Sequence, residues 1–464
     1  MKSRLISLLL LCCTLSSNSH AKIIRSVNHN LTIAVVGTGY VGLVTGAGLA
    51  EAGNKVICAD VDSKKIEMLQ KGIIPIYEPG LKELVDSNVT SGLITFTTDV
   101  ADAIAQAQVI VIGVGTPMNE NGSANLTYIE SVLNTTASAI NGFKVIVTKS
   151  TVPVGTGAWI RSYLESKGVP STLFSLVSNP EFLREGNAVG DFLHPDRIVL
   201  GTESSQGLEL MKEVYKTFVN NGTHIIYTTI PTSETIKYAS NAFLAVKLSY
   251  INEIANLCDA TGADIKTVAV AMGLDKRISP LFLNPGPGFG GSCFPKDSQA
   301  LLYMADQKHM QMPVVQASIT TNEMQKTKPA EKLLALLNND IHNKKIAILG
   351  LAFKANTDDI RYSPAISTIE ILLERGAIIK AFDPAAMDNM KAILPQITYC
   401  NSTYETVNQA DAVIIMTEWN EFKNIDLQLL SDLVTSKVIV DSRNVLNISK
   451  LKELGFIFDT MGHH

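Results

Sequence analysis

This 464-residue sequence lacks blocks of like charge, low-complexity tracts and paired cysteine motifs. Charged residues make up only 18% of it and the formal net charge is −5, which argues against a nucleic-acid-binding surface. The six cysteines show no CxxC spacing, so neither a zinc site nor a disulfide framework is predicted. Four of them lie beyond the N-terminal segment and suit a reducing compartment as free thiols: Cys58, Cys258, Cys293 and Cys400.

A segment at the N-terminus differs from the rest of the chain. Lys2 and Arg4 precede an apolar stretch over residues 5–15, and small residues follow at Ser19 and Ala21. This pattern over residues 1–21 is typical of a secretory signal peptide and is too short for a good spanning helix. A misassigned translation start or an unstructured extension explains the same segment equally well.

The segment Leu31–Asp62, "LTIAVVGTGYVGLVTGAGLAEAGNKVICADVD", predicts a strand, a glycine turn, a helix and a second strand. Continuous apolar runs such as "IAVV" and "KVICA" indicate buried parallel strands. Further strand-like runs follow at "VIVIGVGTP" and "KVIVTKST" with helical stretches between them. The alternation predicts an α/β fold with a doubly wound sheet.

The same order of elements recurs about three hundred residues later. "KKIAILGLAFKA", "GAIIKAFDP", "QADAVIIMTEW" and "SKVIVDSRN" echo the four segments of the first half in turn. We therefore predict two Rossmann-like domains, over residues 22–225 and 329–464. The region between them, 226–328, contains a stretch without Gly or Pro from Thr232 to Thr261, which predicts a long central helix ended by Gly262. Such a helix could join the two domains and pack against its copy in a homodimer.

The motif Gly37-Thr-Gly39-Tyr-Val-Gly42 lies where a strand turns into a helix, and Asp60 ends the next strand. Glycines at these positions let the backbone approach a pyrophosphate, and the acid suits a ribose hydroxyl. Because an acid there would repel a 2′-phosphate, NAD is predicted as the cofactor in preference to NADP. Lys65 either contacts the adenosine end of the cofactor or is a solvated surface lysine.

The second copy has lost this glycine pattern and has gained cations, Lys354 and Arg361. A fold that keeps its shape but replaces glycines with cations is predicted to bind a phosphate-bearing ligand other than the dinucleotide.

A cysteine stands in an unusual loop, "GPGFGGSCFPKD", over Gly286–Asp297. Consecutive glycines can present backbone N–H groups to an oxyanion, and Cys293 directly after them can act as a nucleophile on an aldehyde. Asp297 could help a water hydrolyse the resulting thioester. On the central helix, Lys237 and Asn241 share a face, where they either polarise an oxygen or form an exposed polar pair.

Taken together, "GTGYVG", "STVPVGT", "SNPEFLREG", "ETIKYASNAFLA", "GFGGSCFPKD" and "GLAFKANTDDIR" resemble the UDP-glucose/GDP-mannose dehydrogenase family in this order. The resemblance spans about Leu31 to Phe456. It implies a four-electron, NAD-dependent oxidation of UDP-glucose C6 to UDP-glucuronate through cysteine thiohemiacetal and thioester intermediates, with no metal.

The resemblance also implies roles for individual residues. The catalytic set is Cys293, Lys237, Asn241, Asp297, Glu181 and Thr151. The substrate-binding set is Phe182, Leu183, Arg184, Arg277 (commonly across a dimer interface), Gly288, Phe289, Lys354 and Arg443. The cofactor-binding set is Gly37, Gly39, Tyr40, Val41, Gly42, Asp60, Lys65, Thr116, Ser150, Glu185, Lys296 and Arg361.

Several alternatives remain open from the residues. GDP-mannose or a UDP-N-acetylhexosamine could be the sugar nucleotide, although Phe294 after the cysteine looks more like the UDP-glucose branch. A nucleotide-sugar-binding protein without turnover would lack a catalytic residue, and none is missing. A two-electron hydroxyacid dehydrogenase would not explain the thiol loop. Because NAD and UDP-sugars are cytosolic reagents, a cytoplasmic protein is expected, although the N-terminal segment would also permit export.

Overall fold

Buried apolar runs form the strands of two sheets in the computed structural model, which describes residues 31–463. Within that range the first sheet has eight strands in the order β3-β2-β1-β4-β5-β6-β7-β8, all parallel to their neighbours except at the antiparallel β6–β7 pair. Its strands are β1 (Thr32–Val36), β2 (Lys55–Ala59), β3 (Ile94–Thr97), β4 (Val109–Ile112), β5 (Lys144–Thr148), β6 (Phe174–Ser178), β7 (Ile198–Gly201) and β8 (Ile225–Thr228).

Helices cover both faces of this sheet. They are α1 (Tyr40–Glu51), α2 (Ser63–Gln70), α3 (Leu81–Thr90), α4 (Val100–Gln106), α5 (Thr127–Ala139), α6 (Thr156–Ser166), α7 (Ala188–Leu193), α8 (Ser205–Val214) and α9 (Lys216–Asn220), with a 3₁₀ turn at Ser171–Leu173. Two apolar clusters, one on each face, bury the strand residues and confirm the doubly wound α/β prediction.

The second sheet has six described strands in the order β11-β10-β9-β12-β13-β14, all parallel. They are β9 (Lys345–Leu349), β10 (Ile378–Phe382), β11 (Thr398–Tyr399), β12 (Ala412–Ile415), β13 (Val438–Asp441) and β14 (Ile457–Thr460). The surrounding helices are α14 (Pro364–Glu374), α15 (Met387–Lys391), α16 (Thr403–Val407), α17 (Asn420–Lys423), α18 (Leu427–Leu433) and α19 (Ile448–Glu453). The central strands repeat the order of the first sheet, which confirms the second Rossmann-like domain.

Four helices lie between the two sheets in the chain: α10 (Ile230–Thr261), α11 (Ile265–Gly273), α12 (Phe294–Asp306) and α13 (Pro313–Leu336). The long helix α10 packs against both α12 and α13. It begins two residues before Thr232, where the predicted helix starts, and Thr229 is its N-cap. Pro231 suits this first turn because a proline there lacks only an N–H that would have no helical partner. Gly262 ends the helix as predicted, with φ of 74°.

The register of the strands fixes where the functional loops lie. Val36 pairs with Ala59 and with Ile112, so the loops after β1, β2 and β4 leave the sheet at one edge. This carboxyl-terminal edge, where strand order reverses, is the usual ligand-binding position of such sheets. Between residues 31 and 463, no helix is both long and apolar enough to cross a membrane.

Candidate active site

The turn between β1 and α1 leaves room for a phosphate group. Gly37 has φ of 101°, a conformation that favours glycine, and a Cβ on Gly42 would lie 1.9 Å from the Gly37 carbonyl oxygen. Gly39 is the N-cap of α1, no side chain caps the helix, and no described atom lies within 4 Å of the position a Cβ on Gly39 would take. An open helix N-terminus with glycine access fits the pyrophosphate of a dinucleotide.

Asp60 is tied to this turn by its carboxylate. Its Oδ2 accepts hydrogen bonds from the Thr38 N–H at 2.7 Å and the Thr38 hydroxyl at 2.8 Å. Partial burial opposes ionisation, but N–H groups of Asp62 and Thr38 and the Thr38 hydroxyl hold the pKa of Asp60 below its usual range. An ionised Asp60 is therefore available for a ribose hydroxyl while it also braces the glycine turn.

Asp383 is the counterpart of Asp60 in the second sheet, and its surroundings differ. Its carboxylate accepts hydrogen bonds from the N–H groups of Leu351, Ala352, Ala385 and Ala386 and from the Trp419 indole. This saturated set makes Asp383 a support for the loop that carries Lys354. In the second domain, the acid at this position therefore binds backbone N–H groups and is not available to a ligand.

The remaining predicted cofactor residues lie around the same edge in different settings. Thr116 donates its hydroxyl proton to the Thr151 carbonyl at 2.8 Å, and Ser150 donates to the Val114 carbonyl at 2.6 Å. Both hydroxyls therefore brace the loops after β4 and β5. Val41 is half-buried in α1.

Two further cofactor candidates contact protein groups. The Tyr40 hydroxyl donates to the Tyr77 carbonyl at 2.6 Å and to Asp358 at 3.1 Å, so it reaches the loop of the second domain. Lys65 is half-buried, and its ammonium lies 4.0 Å from Asp62.

Glu185 and Arg361 meet where the two domains face each other. Arg361 binds Asp359 at 2.7 Å and lies 3.7 Å from Glu185, while the Ser292 hydroxyl donates to Glu185 at 3.2 Å. Burial and the nearby Asp359 raise the pKa of Glu185 to about 7, although Arg361 opposes this. Glu185 can therefore exchange a proton near neutral pH beside the cysteine loop.

A buried ion pair links the segment after β6 to the central helix. The Lys237 ammonium lies 2.7 Å from the Glu181 carboxylate, and both side chains are about 95% buried, with exposed fractions of 4% and 5%. Although burial alone would raise the pKa of Glu181, Lys237 and the Leu183 N–H, which donates at 2.6 Å, hold that pKa below its usual range. Burial likewise opposes the charge on Lys237, but Glu181, Cys293 and Asp297 raise its pKa. Both groups are ionised, so a fixed cation faces the cysteine.

Asn241 and Asp297 form a second pair one helical turn further along α10. The Asn241 amide donates to Asp297 at 2.6 Å, and the Lys296 ammonium binds the other carboxylate oxygen at 2.5 Å. Asp297 is almost completely buried. Lys237 and Asn241 are thus both directed into the site and do not form an exposed polar pair. Lys296, a cofactor candidate, contacts the same acid.

Cys293 is the residue directly before α12, which begins at Phe294. The residue is half-buried, and its sulfur lies 3.5 Å from the Ser292 hydroxyl. Burial, with the carboxylates of Glu181 and Asp297, raises the pKa of Cys293 to about 11, and Lys237 only partly opposes the shift. In the ligand-free protein the group is therefore a thiol, which must lose its proton as it attacks.

The glycines before the cysteine admit the second domain. A Cβ on Gly290 would lie 2.4 Å from the Tyr362 carbonyl oxygen, and one on Gly291 would lie 2.7 Å from the Phe353 ring. The Gly291 N–H donates to the Arg361 carbonyl at 2.7 Å, so it is not available to an oxyanion as the glycine pattern suggested. These glycines let the loop Leu351–Tyr362 pack directly against the cysteine loop.

Three amide side chains bind the backbone of the cysteine loop, and sequence reasoning missed them. Asn322 accepts from the Phe289 N–H at 2.7 Å and donates to its carbonyl at 3.0 Å. Gln325 donates to the Gly286 carbonyl at 2.8 Å, and Asn252 accepts from the Gly286 N–H at 2.8 Å. All three amides are buried on α10 and α13. Polar residues spaced along an otherwise helical stretch were the only signal of this role.

Two substrate candidates, Arg184 and Lys354, line a cavity of about 240 Å³ between the two domains, together with Glu185, Glu418, Asn420 and Lys423. Burial lowers the pKa of Lys354, although Glu185 and Glu418 oppose this. Arg184 forms an ion pair with Asp191 at 2.5 Å on the rim. The cations near this cavity suit a phosphate-bearing ligand.

Other substrate candidates lie on different sides of the site. The Phe182 ring lies beneath Lys237, with the ammonium 5.5 Å from the ring centroid. Gly288 has φ of 101° and lies against Asn322. Arg443 donates to the Met416 carbonyl at 2.8 Å and to the Phe353 carbonyl at 2.8 Å, which joins it to the loop of the second domain.

Arg277 is the candidate that the single chain does not bring into the site. Its guanidinium is 89% exposed and pairs with Asp275 at 2.6 Å. The segment over residues 1–21 that resembles a signal peptide lies outside the described residues. Among those that are described, no group of three or more His, Cys, Asp or Glu side chains forms a candidate metal site.

Three domain descriptions of one protein family match the sequence in order. They are the NAD binding domain over residues 31–219, the central domain over 231–324 and the UDP binding domain over 347–448. The chain belongs to the UDP-glucose/GDP-mannose dehydrogenase family. The family's NAD binding domain coincides with the sheet that carries the glycine turn, and its UDP binding domain coincides with the sheet that carries Lys354.

Relatives within the UDP-glucose/GDP-mannose dehydrogenase family align over nearly the whole chain. The UDP-glucose 6-dehydrogenase TuaD of Bacillus subtilis is 44% identical and covers 93% of each chain. The UDP-glucose 6-dehydrogenase of Rhizobium meliloti is also 44% identical, over 93% of this chain and 99% of its own. The solved structure of a UDP-glucose dehydrogenase from the archaeon Pyrobaculum islandicum is 35% identical with a TM-score of 0.86, over 94% and 98% of the two chains.

Proposed function

We propose that this protein is an NAD-dependent dehydrogenase that oxidises C6 of UDP-glucose to the carboxylate of UDP-glucuronate. One observation carries the proposal: a thiol, a buried ammonium and a buried carboxylate, from Cys293, Lys237 and Asp297, converge where the NAD binding and UDP binding domains meet. An alcohol oxidation that stops at the aldehyde would need no nucleophile, whereas oxidation to the acid needs one that retains the aldehyde.

The glycine turn is the proposed cofactor site. Gly37, Gly39 and Gly42 would admit the pyrophosphate at the N-terminus of α1, and Asp60 would bind a ribose hydroxyl. NAD, when bound, supplies the hydride acceptor for both oxidations. Glu185 and Arg361 would lie beside it, with Arg361 serving the pyrophosphate.

The ion pair of Lys237 and Glu181 would act in the first oxidation. The Lys237 ammonium stabilises negative charge that develops on O6 as its proton leaves, and Glu181 is the general acid/base that relays the proton. Because both groups are buried and their charges are already paired, the site needs little rearrangement to stabilise this charge. Asn241 would help Lys237 to hold O6 in place.

The cysteine would then retain the aldehyde. The Cys293 sulfur bonds to C6 while the carbonyl oxygen takes up the thiol's proton, which gives a thiohemiacetal. Oxidation of this adduct leaves a thioester on the same sulfur. Water ordered by Asp297 and Thr151 attacks the thioester carbon, the carbon–sulfur bond breaks, and the sulfur is protonated again. Overall one alcohol and one water become a carboxylate, with two NAD reduced and three protons released.

The nucleotide half of the substrate would lie in the second domain. Lys354 and Arg443 would contact the UDP portion, and Phe182, Leu183, Gly288 and Phe289 would surround the sugar. Phe289 packs edge-on against Phe294 at 5.8 Å between ring centroids, so the residue after the cysteine shapes this side of the pocket. A UDP binding domain matched over residues 347–448 supports this assignment.

The proposal is tested by measuring NADH formation with purified protein and UDP-glucose. We expect two NADH for each UDP-glucuronate detected by mass spectrometry, and little reduction of NADP. GDP-mannose and UDP-N-acetylglucosamine serve as parallel substrates. Reduction with either of these and none with UDP-glucose would reassign the substrate, and reduction with none of them would contradict the dehydrogenase proposal.

We also propose a division into residues 22–225, 226–328 and 329–464, with a homodimer formed along the central helix. Phe243, Tyr250 and Leu257 recur at every seventh position of α10 and are 64%, 48% and 57% exposed. This apolar stripe supports pairing with a second copy because such a surface is costly to leave in water. Arg277, exposed on the same region, would then reach the partner's sugar site.

Replacing Phe243 by glutamate is expected to convert the dimer to monomers. The introduced charges would face each other or be desolvated in the interface. Analytical ultracentrifugation measures the change, and Tyr128→Glu, at a comparably exposed aromatic residue of α5, is the matched control. Equal sedimentation of wild type and Phe243→Glu would place the interface elsewhere.

We propose a cytoplasmic location. The four cysteines of the described chain are all free, which suits a reducing compartment. NAD and UDP-sugars are also cytosolic reagents. Determination of the N-terminal residue of the protein purified from its natural host would test this, since cleavage after residue 21 would indicate export.

A further inference from the structure

A buried lysine with no assigned role lies close to Glu181. Lys149 directly follows β5 and is 5% exposed. Its ammonium lies 3.3 Å from the Asn179 side-chain oxygen, 3.4 Å from the Asn179 carbonyl and 5.9 Å from the Phe192 ring centroid. Among residues 31–463 it forms no ion pair within 4 Å with a carboxylate. A full charge is thus buried with only neutral groups in direct contact.

Asn179 connects this lysine to the strands on both sides. Its side-chain oxygen also accepts the Tyr215 hydroxyl at 2.6 Å, and its amide donates to the Val199 carbonyl at 2.9 Å. Its backbone N–H donates to the Thr148 carbonyl at 3.0 Å. Asn179 is two residues before Glu181, so this network fixes the chain at the point where it leaves β6 to carry the carboxylate.

Electrostatics couple Lys149 to the ion pair. Burial lowers the pKa of Lys149 to about 8, while Glu181 favours its charged form and Lys237 opposes it. The charged and titratable groups that face Glu181 are Lys149 after β5, Lys237 on α10 and Cys293 before α12. Glu181 therefore lies in the field of two ammonium groups, of which only Lys237 touches it.

We propose that Lys149 is a positioning residue for Glu181, which keeps that carboxylate ionised through its charge and fixes its direction through Asn179. The inference rests on the proposed function, because it assigns Glu181 a proton-transfer role. A lysine buried without a contacting carboxylate destabilises the fold. The Lys149 charge therefore lowers the stability of the fold while it acts on Glu181. A residue whose only role was packing would be expected to stabilise the fold.

Lys149→Met is the variant that separates these roles. Loss of the cation raises the pKa of Glu181, so the acidic limb of the kcat/KM profile should move to higher pH by roughly one unit. Activity should fall about tenfold only at pH values below both acidic limbs, and it should hardly change at pH 7. Thermal stability at pH 7 should not fall, because an uncompensated buried charge is replaced by an apolar chain of similar volume.

Two further variants isolate charge from geometry. Tyr215→Phe removes a hydrogen bond to the same Asn179 without changing any charge near pH 7, so the acidic limb should stay in place while kcat falls modestly. Lys149→Arg keeps the charge and should return the acidic limb to its wild-type position.

A stability measurement tests the charge without turnover. Because the folded pKa of Lys149 lies near 8 and the unfolded value is 10.5, the unfolded chain binds more protons between these values. The stability of the wild type relative to Lys149→Met should therefore rise as pH increases from about 8 to about 10.5. Other lysines cancel in this difference.

The outcomes distinguish this proposal from the proposed function. An inactive wild type would reject the function, and the stability difference would still decide whether Lys149 is charged and buried. An unshifted acidic limb in Lys149→Met, or a Lys149→Met protein that unfolds more easily than wild type or fails to fold at pH 7, would overturn the positioning role and leave a structural one.

Discussion

Replacement of Cys293 by alanine is expected to lower UDP-glucuronate formation by at least about 10³-fold. Without the thiol, the aldehyde cannot be retained as a thiohemiacetal, so the second oxidation loses its substrate. Anion-exchange chromatography would measure the product, and NADH formation should not exceed one for each sugar consumed. The fold should persist, because the residue lies half-buried at the start of α12 and few partners are lost.

The control for this variant is a cysteine remote from the site. Cys400 is buried beside β11 in the second domain, and Cys400→Ala should keep wild-type turnover. Iodoacetamide gives an independent readout, since a Cys293 pKa near 11 predicts slow alkylation at pH 7 that accelerates as pH rises. Wild-type yields of UDP-glucuronate from Cys293→Ala would contradict the covalent route.

The fold could be predicted from local patterns because its signals are local. Apolar strand runs, the glycine turn and Gly262 each determine structure within a few residues, and all were recovered. The helix α10 begins two residues earlier than the stretch without Gly or Pro predicts, because a proline is tolerated in the first turn, where Pro231 lies. Element types are thus better determined by sequence than element ends.

Parts of the site depend on contacts between distant segments, which no local pattern reveals. The glycines Gly290 and Gly291 suggested an oxyanion hole, yet they accommodate Tyr362 and Phe353, which are some sixty to seventy residues further along the chain. Lys149 follows a strand directly and had no pattern to mark it as a buried charge. It comes close to Glu181 only because β5 and β6 pair in the folded sheet.

The ion pair of Lys237 and Glu181 also explains how a cation can be kept in a buried site. Lys237 is 3% exposed, so its charge depends on Glu181 for compensation. The charge of Lys149 also favours the ionised form of Glu181. The proposed catalytic role of the pair and its structural role therefore depend on the same interaction. Removing one partner should damage both activity and stability, whereas removing both charges should restore stability alone.

Lys237→Met is accordingly expected to lower kcat by about 10³-fold and the unfolding free energy by about 3 kcal/mol. The variant leaves a buried carboxylate without its contacting cation. Lys237→Met combined with Glu181→Gln should regain most of the lost stability and none of the activity, because neither partner of the ion pair is then left as an unpaired charge. NADH formation and thermal or urea unfolding measure the two effects.

The pH dependence of this loss provides the sharpest test. In the wild type the pKa of Glu181 is held low, so its stabilising contribution is present above the unfolded value of about 4.5 and is lost as pH falls. In Lys237→Met, burial dominates and raises the pKa of Glu181, so the variant instead loses stability as pH rises through 4.5. The difference between the two proteins should therefore be small near pH 4 and largest near pH 7. A difference independent of pH would mean that Lys237 stabilises the fold by packing and that the buried charge pair is not what holds α10 against the segment after β6.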